Sequence, residues 1–338
     1  MTLISVTILT GFLGAGKTTL LKRVLHESHG HKFAVIENEF GEENIDNDIL
    51  VTDREENIIQ MSNGCICCSI RDDLRNTLID LAAKKHEGVL DFDRVFIETT
   101  GLADPGPVAQ TFFMDEDIVA SYHLDSIITL VDAKHASQQL DERQEARRQV
   151  GFADQILISK SDLVSADELE QLIARLKRMN LRASIDKVHF GEVPLTKVLD
   201  LQGFNLNAVL ELNSDEETSA SHCHHESGPC EHHHCGHHHH DDVKSFVYRA
   251  ERPFDAVRLE SYLGAVVQVH GAKMLRYKGV LNMNGTNRKV IFQGVHQVMG
   301  SDLGPTWQPE EQRESRMVFI GIDLPRAILE EALEQSLV

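Results

Sequence analysis

Residues Gly11–Thr18 read Gly-Phe-Leu-Gly-Ala-Gly-Lys-Thr, a pattern in which spaced glycines are followed by a lysine and a hydroxyl residue. Such a loop wraps its backbone N–H groups around phosphate oxygens and lies between a buried strand and a helix. The flanks agree, because an apolar, β-branched run covers residues 3–10 and a helical pattern continues from Lys17 to about His26. A simple glycine turn is the alternative. The flanking segments favour a phosphate-binding loop, which restricts this part of the chain to a strand–loop–helix unit.

Short apolar runs alternate with helical stretches through the first 203 residues. Nearly continuous apolar runs are typical of parallel strands that are covered on both faces. The predicted strands after the first are Phe33–Ile36, Arg94–Ile97, Ser126–Val131 and Gln155–Ile158. The predicted helices between them are Asp72–Lys84, His135–Gln149 and Ala166–Met179. This alternation predicts an α/β fold with a doubly wound, mostly parallel sheet in a domain spanning residues 1–203.

The pattern changes after about Gly203. Residues Asn213–Asp242 are polar, acidic and rich in histidine, and they lack an apolar period that could support a core, which predicts a His- and Cys-rich flexible linker over residues 204–243. Apolar runs resume in residues 244–338, where we predict a smaller α+β domain of four strands and two helices. In chain order these are Ser245–Tyr248, Phe254–Leu263, Met274–Leu281, Val290–Val295, Met317–Ile322 and Pro325–Leu337.

Composition narrows the class of protein. The chain has 53 acidic residues against 33 Lys and Arg, and this excess argues against binding to nucleic acid, which needs clustered positive charge. No apolar run reaches the ~18 residues of a membrane-spanning helix. The N-terminus lacks the features of a signal peptide, so we expect a cytoplasmic protein with reduced cysteines. The six cysteines form two clusters, which favours thiolate ligands over disulfides: Cys65, Cys67 and Cys68, then Cys223, Cys230 and Cys235.

The phosphate loop predicts the roles of several side chains. Lys17 places a positive charge at the β- and γ-phosphates of a nucleotide, and the Thr18 hydroxyl is suited to ligate Mg²⁺. The strand Arg94–Ile97 is followed by Glu98, which we assign to Mg²⁺ binding, and by Gly101, whose N–H can approach the γ-phosphate. Lys17, Thr18 and Glu98 are therefore the predicted catalytic residues. No residue stands out as the base that activates water.

The segment Ser159–Asp162 follows the apolar strand Gln155–Ile158. Asp162 can accept hydrogen bonds from guanine N1–H and the exocyclic amine, a donor pair that adenine lacks, while the stem of Lys160 covers the ring. The segment could instead cap the helix that starts near Ala166. Its order and distance from the phosphate loop favour GTP. The predicted nucleotide-binding residues are Gly11, Gly14, Ala15, Gly16, Lys17, Thr18, Thr19, Gly101, Lys160 and Asp162.

The first cysteine cluster places three thiols within four residues. Thiolates bind Zn²⁺ tightly, and three thiols in a polar turn are poor candidates for small buried hydrophobic residues. An extended turn points alternate side chains to opposite sides, so fewer than three thiols can bind at once and a carboxylate could complete the shell. The predicted metal ligands are Cys65, Cys67, Cys68, Glu37 and Glu42. Zn²⁺ is the expected metal, and Co²⁺ and Ni²⁺ stay open because affinity order alone does not decide selectivity.

Five segments occur in a fixed order: Gly11–Thr18, Glu37–Glu42, Cys65–Cys68, Glu98–Gly101 and Ser159–Asp162. Together they resemble the CobW-type GTPases, which are metal chaperones and metalloprotein activators, and residues 245–337 look like that family's C-terminal domain. The resemblance implies a P-loop GTPase fold and a slow GTPase that binds zinc or a neighbouring transition metal and passes it to a client enzyme. One departure is Ser159, where GTPases at large favour Asn.

A second metal-binding segment lies in the predicted linker. Residues 222–240 hold ten of the nineteen histidines together with three cysteines, and imidazoles at this density bind transition metals. One interpretation is a tethered reservoir that raises the metal concentration near Cys65–Cys68. The other is a linker whose metal affinity is incidental.

The sequence therefore predicts a GTP-hydrolysing metallochaperone with GTP, Mg²⁺ and Zn²⁺ as ligands. The Glu37–Glu42 loop and the Cys65–Cys68 segment would lie beside the γ-phosphate and change conformation with the nucleotide. The expected partner is a client apo-metalloenzyme, with the C-terminal domain supplying part of its docking surface, and homo-oligomers stay open. The competing hypotheses are a zinc store with GTP as a structural or regulatory ligand, a cobalt- or nickel-specific chaperone, and a small-molecule kinase.

Overall fold

The computed structural model describes residues 3–27, 30–37, 58–60, 70–201 and 242–338. Most of the predicted linker, including its His- and Cys-rich part, lies outside these residues. The described residues form a seven-stranded parallel sheet and a separate five-stranded antiparallel sheet. The predicted fold class is confirmed: a doubly wound α/β domain is followed by a smaller α+β domain. None of the helices in this described part is long and apolar enough to cross a membrane.

The first sheet carries the phosphate loop. Its strands are β1 (Ile4–Gly11), β2 (Phe33–Glu37), β3 (Ile58–Gln60), β4 (Arg94–Glu98), β5 (Tyr122–Asp132), β6 (Gln155–Ser159) and β7 (Ser184–Lys187). Their order across the sheet is β3-β2-β4-β1-β5-β6-β7, with every pairing parallel. The carboxyl ends of all these strands therefore share one edge, where open α/β sheets bind their ligands. β3 and β7 are short edge strands that the apolar runs did not predict.

Helices cover both faces of this sheet. They are α1 (Lys17–Glu27), α2 (Ile70–His86), α3 (Pro105–Met114), α4 (Glu116–Ser121), α5 (Ala136–Glu142), α6 (Gln144–Phe152) and α7 (Ala166–Met179). The single helix predicted over His135–Gln149 is wrong, because Arg143 adopts an extended conformation with φ −120° and separates α5 from α6. The sequence analysis also missed α3, although Asp104 caps it and Pro105 occupies its first turn, a recognisable helix start.

The C-terminal domain has five strands, so the prediction of four is wrong. Its elements are β8 (Val243–Ala250), α8 (Ala256–His270), β9 (Met274–Leu281), β10 (Arg288–Val295), β11 (Val298–Thr306), β12 (Ser315–Ile322) and α9 (Arg326–Gln335). The strand order is β11-β10-β9-β12-β8. The missed strand β11 lies at an edge, is mostly exposed and contains Pro305, so it shows no apolar alternation.

The two domains share a hydrophobic contact centred on α6. Val150 and Phe152 of α6 belong to one buried cluster with Val243, Leu275 and Ile320 of the second sheet. Gly151 lies so close that an added Cβ would stand 2.6 Å from the Leu275 side chain. Since α6 also packs on β1 and β5 of the first sheet, it connects that sheet with the C-terminal domain, as α3 does through β10 and β11.

Candidate nucleotide and metal site

The phosphate loop leaves β1 through a backbone turn that only glycine tolerates. Gly11 has φ +140°, and a Cβ at this position would lie 2.4 Å from the Leu130 carbonyl oxygen of β5. The predicted glycines Gly14 and Gly16 also have positive φ, and the Ala15 N–H donates to the Phe12 oxygen at 3.2 Å. The glycine pattern therefore reflects the backbone turns that the loop makes before α1 begins at Lys17.

Lys17 lies inside this loop. Its Nζ donates to the Gly11 oxygen at 3.0 Å and to the Phe12 oxygen at 3.5 Å, and only 9% of the residue is exposed. Burial lowers the pKa of Lys17, and the nearby carboxylate of Glu98 opposes that shift. Desolvation makes this ammonium costly to keep charged, and a bound anion would favour its charged form. The loop is therefore arranged to receive phosphate oxygens.

The three residues predicted to be catalytic lie together. Thr18, one residue after Lys17, donates its hydroxyl hydrogen to Oε1 of Glu98 at 2.9 Å. Glu98 is buried at the end of β4, and the next residue, Thr99, is fixed to β1 by a hydrogen bond from its hydroxyl to that of Thr10 at 2.9 Å. A hydroxyl and a carboxylate at this separation are the oxygen donors that Mg²⁺ prefers, so this pair fits the metal.

Gly101 brings the segment after β4 against the phosphate loop. An added Cβ on Gly101 would lie 2.6 Å from the Leu13 backbone nitrogen, so a larger residue would push the two segments apart. The structure therefore places Gly101 beside the loop, as a contact to the terminal phosphate requires. Thr19, in contrast, is exposed on the first turn of α1.

The predicted base-recognition segment contacts the phosphate loop directly. Ser159 donates its hydroxyl to the Ala15 oxygen at 2.7 Å, so the serine that stands in place of Asn joins β6 to the loop. The alternative interpretation of this segment as a helix cap is wrong. The cap of α7 is Ser165, which forms a reciprocal capping box with Glu168.

Two residues beside this segment were missed by the sequence analysis. Asp132, buried at the end of β5, accepts from Lys160 Nζ at 2.7 Å. Burial raises the pKa of Asp132, but hydrogen bonds from Lys160 and His135 outweigh burial and hold it below its ordinary value. His189, just beyond β7, has Nδ1 3.7 Å from Oδ1 of Asp162. The sequence could have predicted Asp132, because this carboxylate ends an apolar strand in the same way as Glu98 does.

Glu37 is the predicted metal ligand that the structure describes. It ends β2, and its Cα partner across the parallel pairing with β4 is Glu98. On its other side Glu37 pairs with Gln60, the last residue of β3. Glu42, Cys65, Cys67 and Cys68 lie outside the described residues. Within the described part of the chain, no group of three or more His, Cys, Asp or Glu side chains could hold a metal ion.

Known proteins share both domains. The family model "CobW/HypB/UreG, nucleotide-binding domain" matches residues 5–186, and "Cobalamin synthesis protein cobW C-terminal domain" matches residues 243–337. The zinc chaperone YjiA of Escherichia coli is 42% identical over 322 residues, 95% of each chain. The zinc-regulated GTPase metalloprotein activator 1 of Schizosaccharomyces pombe is 30% identical over 96% of this chain and 83% of its own length.

Two solved structures of the E. coli protein superpose over the whole chain. The Zn(II)-bound YjiA GTPase has a TM-score of 0.76 and 36% identity, and 99% of each chain is covered. A Zn(II)-bound triple mutant of YjiA GTPase, in which one glutamate and two cysteines are replaced by alanine, also has a TM-score of 0.76 and 36% identity, with 100% of each chain covered. With the family models and these relatives matching along its length, the chain belongs to the CobW family of nucleotide-binding proteins.

Proposed function

We propose that the protein is a GTP-hydrolysing metallochaperone. It binds GTP with Mg²⁺ at the phosphate loop, holds Zn²⁺ with ligands drawn from the thiols of Cys65, Cys67 and Cys68 and the carboxylates of Glu37 and Glu42, and passes the zinc to a client metalloprotein in the cytoplasm. The names of the relatives as zinc chaperones and zinc-regulated GTPases support this assignment. Zn²⁺ is therefore preferred over Co²⁺ and Ni²⁺.

One observation carries the coupling between nucleotide and metal. Glu37, in the proposed zinc shell, is the register partner of Glu98, which accepts a hydrogen bond from Thr18 of the phosphate loop. Neighbouring parallel strands lie about 4.8 Å apart, so a change in the ligands of Glu98 acts next to the residue that binds zinc. The sheet edge thus supports a shared site for the two ligands.

Chain connectivity supports the same proposal for the cysteines. Gln60 lies at this edge as the partner of Glu37, and Cys65 follows Gln60 by five residues. An extended chain covers at most about 3.6 Å per residue, so the Cα of Cys65 stands within about 18 Å of the Cα of Gln60. Cys67 and Cys68 precede α2, which starts at Ile70.

The described residues support roles in stabilising charge and binding the nucleotide. Phosphate oxygens would replace the Gly11 and Phe12 carbonyls as acceptors for the Lys17 ammonium, which would then neutralise charge that develops in the transition state. Mg²⁺, held by Thr18 and Glu98, would supply further neutralisation at the β- and γ-phosphates. Asp162 would accept from guanine, with Lys160 held beside it by Asp132.

The zinc proposal is tested by measuring Zn²⁺ affinity, through competition with a chromophoric chelator, in the GTPγS-bound and GDP-bound states. A coupling of ~1–3 kcal/mol predicts that the two affinities differ by about 5- to 150-fold. Replacing Cys65, Cys67 and Cys68 by Ser should remove this difference and weaken the coupled site by at least about tenfold. GTP binding should be retained.

Zinc content alone would not decide the question. The mutant relative is Zn(II)-bound without three of its native side chains, and we expect the ten histidines of residues 222–240 to bind metal whatever the nucleotide. The matched control is therefore replacement of Cys223, Cys230 and Cys235 by Ser, which should lower the amount of zinc bound but keep the difference between nucleotide states. Equal affinities in both states of the wild type would contradict the chaperone and favour a zinc store.

Base recognition gives a separate prediction. Asp162→Ala should weaken GTP binding by about 10²-fold and leave the weak binding of ATP unchanged, because it removes the acceptor for the two guanine donors. Titration with fluorescent GTP and ATP analogues measures both affinities. Glu170→Ala, which makes the same charge change on the exposed surface of α7, should leave GTP affinity within about twofold. A uniform loss for both nucleotides would refute guanine selection by Asp162.

A further inference from the structure

The segment after β4 is held from outside the phosphate loop. It runs from Gly101, which packs against Leu13, to Asp104, which caps α3. Its own backbone supplies one turn hydrogen bond, from the Ala103 N–H to the Thr100 oxygen at 3.1 Å. A segment whose one backbone turn hydrogen bond runs to the residue before it depends on its neighbours for a single conformation.

Gln149 of α6 is such a neighbour. It is 1% exposed, and its Nε2 donates to the Gly101 oxygen at 3.1 Å and to the Ala103 oxygen at 3.0 Å. A primary amide nitrogen carries two hydrogens, so both are used on this one segment. These hydrogen bonds join positions 48 and 46 residues apart in the chain. The bond to Gly101 is buried and the bond to Ala103 is partly buried, so loss of the donor leaves a buried carbonyl unsatisfied.

The backbone that presents Gln149 is itself anchored on two sides. The backbone oxygen of Gln149 accepts a hydrogen bond from the Thr129 hydroxyl of β5 at 2.8 Å. Three residues later, the Phe152 oxygen accepts from Arg276 of the C-terminal domain at 3.2 Å. Arg148, the residue before Gln149, donates to the Asp104 carboxylate at 2.6 Å. Because the C-terminal half of α6 is bonded both to β5 and to the C-terminal domain, the amide of Gln149 has little freedom to follow the segment if that segment moves.

We infer that Gln149 is a positioning residue that holds the Gly101–Asp104 segment where the Gly101 N–H can meet the terminal phosphate of GTP. The inference rests on the proposed GTPase function. It goes beyond that function by naming the side chain that makes the affinity for GTP differ from the affinity for GDP. GDP lacks the terminal phosphate, so the hydrogen bonds of Gln149 contribute to GTP binding and turnover and not to GDP binding.

The test is Gln149→Met, which keeps the length of the side chain and removes both donors. Isothermal titration with GDP and GTPγS and steady-state GTP hydrolysis are measured on the full chain. We expect GDP affinity within about twofold of the wild type, and both GTPγS affinity and kcat lower by on the order of tenfold, from two lost hydrogen bonds. Gln155→Met is the matched control. Gln155 is equally buried on β6 and donates to Asp186 at 2.9 Å, away from this segment, so the ratio of GTPγS to GDP affinity should stay unchanged.

A second variant covers the case in which Gln149→Met does not fold. Gln149→Asn keeps an amide but shortens the side chain by one methylene, so its ratio of GTPγS to GDP affinity should fall below that of the wild type by about threefold or more. An unchanged ratio in the folded variants, or an equal loss for GDP and GTPγS, would overturn the inference. If the wild type itself neither hydrolyses GTP nor prefers guanine, the proposed function fails; if it does both and the Gln149 ratio is unchanged, this inference alone fails.

Discussion

Replacing Lys17 by Met should lower kcat/KM for GTP by about 10²–10³-fold while leaving the nucleotide-free protein no less stable than the wild type. The loss of turnover follows because the ammonium is the charged donor inside the phosphate loop. The second expectation follows from burial. The lowered pKa of Lys17 means that the folded state disfavours the charged form of this side chain. The folded state therefore loses stability as the pH drops below the pKa that Lys17 has in the unfolded chain. Methionine has a similar length and no charge, so it removes this cost.

Thermal unfolding with and without GTP separates the two effects. Wild-type protein at 100 times its Kd for GTP should gain about 2.7 kcal/mol, and the variant should lose most of this gain. Lys22→Met, on the same helix and without a role in the site, should keep both the gain and the turnover. A variant that loses stability without nucleotide would show that Lys17 supports the fold of the loop and would weaken its assignment to phosphate binding.

Local chemistry made much of this site predictable. The phosphate loop is recognisable because Gly11 must avoid the Leu130 carbonyl, a constraint that acts on the residue type itself. α7 was predicted with both ends correct, and the capping box of Ser165 and Glu168 at its start lies within four consecutive residues. Parallel strands such as β6 are visible because burial on both faces leaves a continuous apolar run.

The sequence analysis missed two kinds of feature. The first depends on contacts between residues that are distant in the chain, and the second is a strand whose side chains are exposed to solvent. The hydrogen bond from Ser159 to Ala15 spans 144 positions, so spacing carries no trace of it, and the same holds for Gln149 with Gly101. β11 was missed because an exposed edge strand buries too few residues to impose alternation. The linker boundaries, the zinc ligands and the roles of the site residues stay predictions, and the cysteines lie outside the described residues.

The interface between the two domains contains a buried ion pair that joins residues distant in the chain. Asp154, between α6 and β6, accepts from Arg276 of β9 at 2.6 Å, and the two side chains are 7% and 3% exposed. Its second oxygen accepts from the Ile127 N–H at 3.0 Å. Burial lowers the pKa of Arg182 to about 10 and that of Lys278 to about 6, with Arg276 contributing in each case and Asp154 opposing. Asp154 is therefore the carboxylate that pairs with Arg276 and opposes the lowering of the pKa at Arg182 and Lys278.

Asp154→Asn should cost about 3–5 kcal/mol of unfolding free energy, because it leaves the buried charge of Arg276 without this carboxylate while the size of the side chain is kept. Urea unfolding followed by circular dichroism measures the loss, and the fluorescence of Trp307, the single tryptophan, reports separately on the C-terminal domain. Removing both charges, with Asp154→Asn and Arg276→Met together, should cost less than Asp154→Asn alone, since no isolated buried charge remains at this pair.

The exposed pair of Arg326 and Glu330 on α9 supplies the control for this prediction. Their atoms are 2.8 Å apart, but the side chains are 63% and 38% exposed, so Glu330→Ala should cost about 0.5 kcal/mol or less. Comparable losses at the two sites would mean that burial does not set the strength of the Asp154 pair. If unfolding of Asp154→Asn followed by Trp307 fluorescence and by circular dichroism gives two different midpoints, the two domains unfold independently in this variant. The ion pair is then needed for the two domains to unfold as one unit. The ion pair of Asp154 and Arg276 would then act together with the buried apolar cluster around α6 in holding the two domains together.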